Sequence, residues 1–370
     1  MESILIYYPF TLAKVADSGS KLRPLQMKKA LEEWGEKEGV SVFTISGTSK
    51  ERQNQFHHLL TEKKLENIRF CYVENQTIPL WLTDPKHIPQ NPLIDRTIFQ
   101  YLQKKNVPVG IFYRDVYWKF DELYPLKGWK KKVMQWMYRR EERFYEKYGK
   151  ALFLPSLEMG SHVDIEILKA ALPPGGQTVT SYEKKPHQGL KGLYVGGIAH
   201  QDYGLPLLLD SLEIVQQKEV DYQLTICCRE QELQSIPSET RDRLKRLSVE
   251  MVHLSGESLK KLYQEMDFAL IPRYRSTYND FAVPVKLVEY LSNLLPVVAT
   301  DCSAQKSFVE SGPYGIVSHD EAHSMAEAIM NMAETNEQYR KQIEEDFLDK
   351  HSWLTRAYTI AHVLGGEKHQ

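Results

Sequence analysis

The stretch Phe281-Ala-Val-Pro-Val-Lys-Leu-Val-Glu-Tyr-Leu-Ser-Asn-Leu-Leu-Pro-Val-Val-Ala-Thr-Asp301 decides the fold class. It reads as a turn, an amphipathic helix over 285–293 and a buried strand over 296–300, the helix-to-strand step of a doubly wound sheet. Glu289 falls mid-helix beside Lys286 and among apolar residues. A half-buried carboxylate costs free energy unless something pairs with it. Two readings are open. Either Lys286 pairs with Glu289 along the helix, or the helix starts at a ligand that both residues face.

Working back from that stretch, the same alternation recurs. Strands are predicted over 193–195, 223–228, 250–254 and 268–272, with helices over 207–215 and 259–266 between them. In the first half, strands are predicted over 3–8, 40–45, 67–73, 107–113 and 151–155. Helices there are predicted over 22–34 (stopped at Gly35), 96–104 and 164–171. The aperiodic polar run 178–191 reads as a linker. The expected organisation is therefore an α/β protein of two Rossmann-like doubly wound domains facing across a cleft. Residues 1–177 form the first domain and 192–351 the second, and a closing helix in 352–370 packs back toward the first.

Composition narrows the function. Of 370 residues, 42% are apolar and 26% charged, and the net charge of −2 supplies no global case for nucleic acid. No apolar run approaches the roughly 20 residues that span a bilayer. The N-terminus lacks a signal-peptide pattern. The four cysteines show no metal-type spacing and read as reduced core thiols, which points to the cytoplasm. One segment is biased: residues 101–150 hold thirteen Lys/Arg against six Asp/Glu. Within it, Trp129, Val133, Trp136, Met137 and Phe144 fall at helical spacing, flanked by lysines and arginines concentrated in 126–143. Such a helix either lies on an anionic membrane surface or buries its apolar stripe.

Sheets of this kind bind ligands at the carboxyl ends of their strands. There the second half presents Gly196-Gly197, Arg229, Arg273 and Arg275, then Lys286 and Glu289. Cations with glycine amides suit a diphosphate, and a carboxylate suits paired ribose hydroxyls. His200 either sees the cleft or faces solvent. The first half presents the loop 16–20, with Gly19 open to an anion or Ser18 or Ser20 as a helix cap, and the pair Arg114-Asp115. There is no Gly-x-Gly-x-x-Gly, no P-loop and no nucleophile triad. The twelve histidines show no zinc spacing.

Pro284-Val-Lys-Leu-Val-Glu-Tyr-Leu-Ser-Asn-Leu-Leu-Pro-Val-Val-Ala-Thr300, Tyr194-Val-Gly-Gly197 and Leu254-Ser-Gly-Glu-Ser-Leu-Lys-Lys-Leu-Tyr-Gln-Glu-Met-Asp267 together resemble the retaining glycosyltransferases of family 4, which have the GT-B fold. The resemblance implies a metal-independent hexosyltransferase without cofactor. It would use a nucleotide diphosphosugar, UDP-linked by preference, and a hydroxyl acceptor on a bacterial surface polysaccharide or lipid-linked glycan. Donor contacts would come from Gly19, Gly196, Gly197, Arg229, Arg273, Lys286 and Glu289, with Glu289 as the second acid of the family's Glu-x7-Glu motif. Catalysis would use Asp115, Arg114 and Lys286. The chain departs from the pattern at Phe281, where the first acid would fall. Asn279 or Asp280 would then serve the sugar. It departs again at Gly197 and Tyr203, where an arginine and a lysine would fall. Two rivals stand beside this reading: a sugar-nucleotide epimerase, and a non-catalytic GT-B-like partner subunit. Peripheral contact with the inner membrane face through 126–143 completes the expectation.

Overall fold

The computed structural model describes residues 2–14, 19–177 and 189–365. Residues 15–18, including most of the loop noted above, and linker residues 178–188 lie outside the described residues.

The chain divides into two compact units, Met1–Gly175 with Trp353–Gln370, and Gly176–Ser352. The first unit contains β1 (Ser3–Tyr8), α1 (Gly19–Glu38), β2 (Ser41–Ser46), α2 (Ser49–Thr61), β3 (Ile68–Glu74) and α3 (Ile94–Lys104). It continues through β4 (Val109–Phe112), α4 (Gly128–Tyr148), β5 (Ala151–Leu154) and β6 (Leu168–Ala171). The strand order is β2-β1-β3-β4-β5-β6, all parallel, so the connections change direction between β1 and β3.

The second unit contains β7 (Leu190–Val195), α5 (Leu205–Gln217), β8 (Tyr222–Cys227), α6 (Glu230–Ser235), α7 (Ser238–Arg246) and β9 (Glu250–Val252). Next come α8 (Gly256–Gln264), β10 (Phe268–Ile271), α9 (Thr277–Phe281) and α10 (Val285–Ser292). The unit ends with β11 (Val297–Thr300), α11 (Ser303–Val309), β12 (Gly315–Ser318) and α12 (Ala322–His351). Its order is β12-β11-β10-β7-β8-β9, again parallel, with the switch between β7 and β10. Alternation along the strands sends Tyr194, Phe268, Leu270 and Val298 to one core, under α5 and α12. Leu193, Ala269, Ile271 and Val297 go to the other, under α10. Both faces of a parallel sheet are covered, so its strands read as continuous apolar runs. The last helix, α13 (Trp353–Gly365), returns to the first unit, where Trp353, Ala357, Ile360 and Leu364 join the core of β1 and α1.

Two expectations need correction, and one open alternative is decided. Residues 164–171 do not form a helix: 168–171 is strand β6, paired with β5 from Ala151↔Leu168 to Leu154↔Ala171. The segment is short, and ladder pairing outweighs a helical spacing only two turns long. Gly35 does not stop α1, which runs on to Glu38, and Gly39 with φ +67° follows. Gly35 is instead a packing position, since a Cβ there would lie 2.6 Å from both the Val40 carbonyl and Val42 Cγ2. On α4, the stripe left open above divides: Phe144 packs against Phe99 and Tyr148 at ring-centroid distances of 4.9 and 4.7 Å, while the tryptophans face outward. Trp129 is 71% exposed and Trp136 54%, while the helix buries Tyr138, Glu141, Glu142 and Tyr145 on its opposite side.

Candidate functional site

At the switch point of the second unit, the loops after β7 and β10 part company. Gly204, at φ +73°, opens α5 directly against Pro272, and any Cβ there would overlap the Pro272 carbonyl. Only glycine satisfies both the backbone angle and that approach.

The glycine loop after β7 is already partly occupied. The Gly196 N–H donates to the Cys227 carbonyl at 3.1 Å, and the Ile198 N–H donates to Glu232 at 2.7 Å. The Tyr194 hydroxyl donates to the Gly197 carbonyl at 2.6 Å, and the Tyr203 ring lies flush against Gly197. Of the three successive amides at 196–198, two therefore have protein partners. His200 stays in solvent, pairing with Asp202 at 3.2 Å.

After β10, Arg273 turns inward. Its Nη1 donates to the Ala282 carbonyl at 3.2 Å and its Nη2 to Asn279 Oδ1. Both acceptors are neutral, and among the described residues Arg273 forms no ion pair. Burial holds its pKa below the usual arginine value. Asn279 is itself buried and donates to the Tyr274 carbonyl at 2.8 Å. Asp280 pairs with Arg275 at 3.2 Å and accepts from the Ser303 amide at 3.1 Å. Phe281 is buried, edge-on to Tyr278. The residues expected to replace the missing acid are thus engaged in holding α9 and Arg273.

The question posed by Glu289 has a composite answer. Lys286 Nζ lies 2.7 Å from one carboxylate oxygen, and the Tyr263 hydroxyl donates to the other at 2.6 Å. Lys286 also reaches the Tyr263 hydroxyl at 3.3 Å, closing a triangle between α8 and α10. Lys286 and Glu289 are about equally and only partly exposed, while Tyr263 is buried. Burial, reinforced by Glu289, pushes the Tyr263 pKa up, so the hydroxyl remains a donor. On the next residue, the Tyr290 hydroxyl accepts from the Val195 amide at 2.7 Å and fastens α10 beside β7. Arg229, beyond β8, is exposed and forms no ion pair among the described residues.

In the first unit, Gly19 begins α1. The backbone N–H of Arg114 donates to Asn75 at 2.9 Å, and its guanidinium pairs with buried Glu74 at 2.7 Å. Asp115 accepts from the Tyr117 amide at 2.8 Å. The structure therefore gathers Gly196, Gly197, Arg229, Arg273 and Lys286 at the carboxyl edge of one sheet, with Glu289 one turn along α10. It places Gly19, Arg114 and Asp115 at the carboxyl edge of the other. Tyr263, Glu232 and Glu74 escaped sequence reading. Each contributes through a partner at least 23 positions away, and no local pattern marks that. Among the described residues, no cluster of three His, Cys, Asp or Glu side chains is placed to hold a metal ion.

Residues 190–335 match the family model "Glycosyl transferases group 1". No curated protein matches the chain in sequence. Among solved structures, HepE of Anabaena in complex with UDP is 13% identical with TM-score 0.58, covering 99% of this chain and 100% of that one. A glycosyltransferase from Rickettsia africae is 13% identical with TM-score 0.57 and 99% coverage of both chains. WaaG, a glycosyltransferase involved in lipopolysaccharide biosynthesis, is 14% identical with TM-score 0.56, covering 98% of this chain and 100% of that one. HepE is also known with UDP-glucose. At such identities these are likenesses of fold, and the fold is that of the GT-B glycosyltransferases.

Proposed function

Starting from a chain with the GT-B fold whose residues 190–335 match the model of the glycosyl transferases group 1, we propose that the protein moves a sugar from a nucleotide diphosphosugar to a hydroxyl acceptor, with retention at the anomeric carbon. The observation that carries this reading is Arg273, an inward-turned guanidinium at the second unit's switch point with only neutral acceptors. A half-buried cation without a counter-charge among the described residues is costly, and a diphosphate offsets that cost. Lys286, in the first turn of α10, supplies a second cation. Pro284 caps that helix without a side-chain hydrogen bond, which leaves its N-terminal dipole for the same phosphates. Glu289 then turns to the ribose hydroxyls while Tyr263 keeps hold of its other oxygen. Cations and dipoles aimed at the leaving diphosphate stabilise the transition state without a metal ion. The leaving phosphate takes the acceptor's proton, and Asp115 and Arg114 belong to the acceptor side. Uridine is the proposed base, supported by the HepE complexes with UDP and UDP-glucose.

The acceptor in this proposal is a surface polysaccharide precursor or lipid-linked glycan met at the cytoplasmic membrane face. Exposed Trp129, Val133 and Trp136 on α4, among exposed Lys130, Lys132, Arg139 and Arg140, suit an interface of anionic headgroups. No helix among the described residues is long and apolar enough to cross a membrane. The double variant Trp129→Ser/Trp136→Ser is expected to lose binding to phosphatidylglycerol vesicles in a flotation assay. Unchanged flotation would remove α4 from the membrane.

A second reading, a non-catalytic GT-B-like subunit, draws on one observation. Glu232 places a carboxylate on the glycine-loop amide where an anionic ligand would come. Calorimetry with UDP and UDP-glucose, followed by incubation with membrane extract and assay of released UDP, separates the two. Binding with acceptor-dependent release supports transfer. Absence of nucleotide binding defeats it.

A further inference from the structure

The first unit's sheet changes direction between β1 and β3, and the carboxyl edge there carries a charge cluster of which the proposed reaction uses only Arg114. Glu74, the last residue of β3, is wholly buried. Arg114 Nη2 donates to its Oε1 at 2.7 Å, and the Tyr72 hydroxyl donates to its Oε2 at 3.1 Å. Arg23, in the second turn of α1, lies on the same crevice, but its Nε comes only within 3.7 Å of that Oε1. The Arg23 guanidinium stacks 3.5 Å over the Phe112 ring and stands 5.6 Å from the ring of Trp353.

Arg23 is 7% exposed, yet its Nε and Nη2 donate no hydrogen bond among the described residues. Two guanidinia thus approach this one carboxylate, and Arg23 gains no hydrogen bond from it among the described residues. Arginine cannot discharge by losing a proton. Buried donors left unmade are costly, and a fold that needed only an internal ion pair would be served by one arginine. The next charged group along this edge, Asp115, is turned to the Tyr117 amide. A crevice at the direction change of a doubly wound sheet is also where such sheets take ligands.

We propose that this crevice binds an anionic group, a phosphate or a carboxylate, carried by the acceptor. Arg23 is its principal ligand, and Glu74 is the internal counter-ion that steadies both arginines. The assignment to the acceptor rests on the transferase reading; the anion site itself does not.

The test follows thermal unfolding with added methyl phosphate and, separately, added acetate. An Arg273→Met background removes the second unit's proposed anion ligand. One of the two anions raises the unfolding temperature, and which one does so distinguishes a phosphorylated from a carboxylated acceptor. Arg23→Met weakens that anion's apparent affinity about tenfold or more, the loss of a charged hydrogen bond. Glu74→Gln lowers the unfolding temperature without anion, yet tightens the anion about threefold or more by removing its competitor. A purely structural role predicts no such tightening, so this sign decides the matter should Arg23→Met not fold. Protection by neither anion, or protection indifferent to both substitutions, overturns the proposal. UDP titration of the chain with Arg273 intact is read separately. Absence of UDP binding beside a persisting anion effect defeats the transferase reading and leaves the site standing.

Discussion

The two units set arginines at the carboxyl edges of their sheets in opposite electrostatic surroundings. In the first, Arg114 meets buried Glu74 at 2.7 Å, so the chain supplies the counter-charge itself. In the second, the Arg273 guanidinium meets, among the described residues, an amide oxygen and a carbonyl and no acid. A third group inverts the second case. Glu141 on α4 is buried with no cation among the described residues, accepting from the Leu80 amide and the Tyr145 hydroxyl at 2.7 Å each. A lone buried acid can take up a proton, and burial pushes the Glu141 pKa up to about 8. A lone half-buried arginine such as Arg273 has no such escape, so it calls for an anion from outside. The pairing in the first unit belongs largely to the fold, whereas the lone cation of the second belongs to a ligand.

The sharpest way to break this contrast is to remove the internal acid. Glu74→Ala leaves two guanidinia uncompensated and is expected to destabilise the protein by about 3–5 kcal/mol in urea unfolding. A loss under about 1 kcal/mol would show that the pair is not structural. Arg273→Met should do the reverse: stability near wild type, but UDP affinity weaker by about 3 kcal/mol in calorimetry. A strongly destabilised Arg273→Met would make Arg273 a fold residue and collapse the comparison.

The acid without a cation predicts a pH effect. Folded Glu141 keeps, between about pH 4.5 and 8, a proton that the unfolded chain has released. Its contribution to stability therefore falls as pH rises through that window and is lost above it. Chemical unfolding across the window should cost the wild type on the order of 3 kcal/mol more than Glu141→Gln. Parallel curves would mean that Glu141 does not titrate there.

Smaller effects dissect the Lys286–Glu289–Tyr263 triangle. Lys286→Ala and Glu289→Ala should each weaken UDP binding by roughly 1.5–3 kcal/mol, with folding intact. Tyr263→Phe should weaken it by about 1 kcal/mol, because it removes only the bond that orients Glu289. Unchanged affinity in all three would return the triangle to a packing role.

Much of the frame was legible along the chain. Alternating apolar runs and glycine breaks mark both doubly wound units, because period and punctuation are local consequences of strand and helix geometry. The Lys286–Glu289 spacing was legible for the same reason, one helical turn being a local distance. Strand β6 was not, since its pairing with β5 spans seventeen residues of register, Ala151 to Leu168. Nor was the outward stripe of α4. Periodicity shows that Trp129 and Trp136 share a face, not which face the rest of the unit covers.

The sequence by itself therefore determined the layers, the strand count near each switch point and the residue types at the carboxyl edges. Only the tertiary structure decided which charges are answered. Arg114 meets Glu74 from forty positions away and Tyr263 meets Glu289 from 26, whereas Arg23 comes only within 3.7 Å of Glu74 and Arg273 meets no acid among the described residues. Secondary structure follows from neighbours in the chain, whereas the free energy of a buried charge follows from neighbours in space. Those neighbours are assigned only when the sheets close.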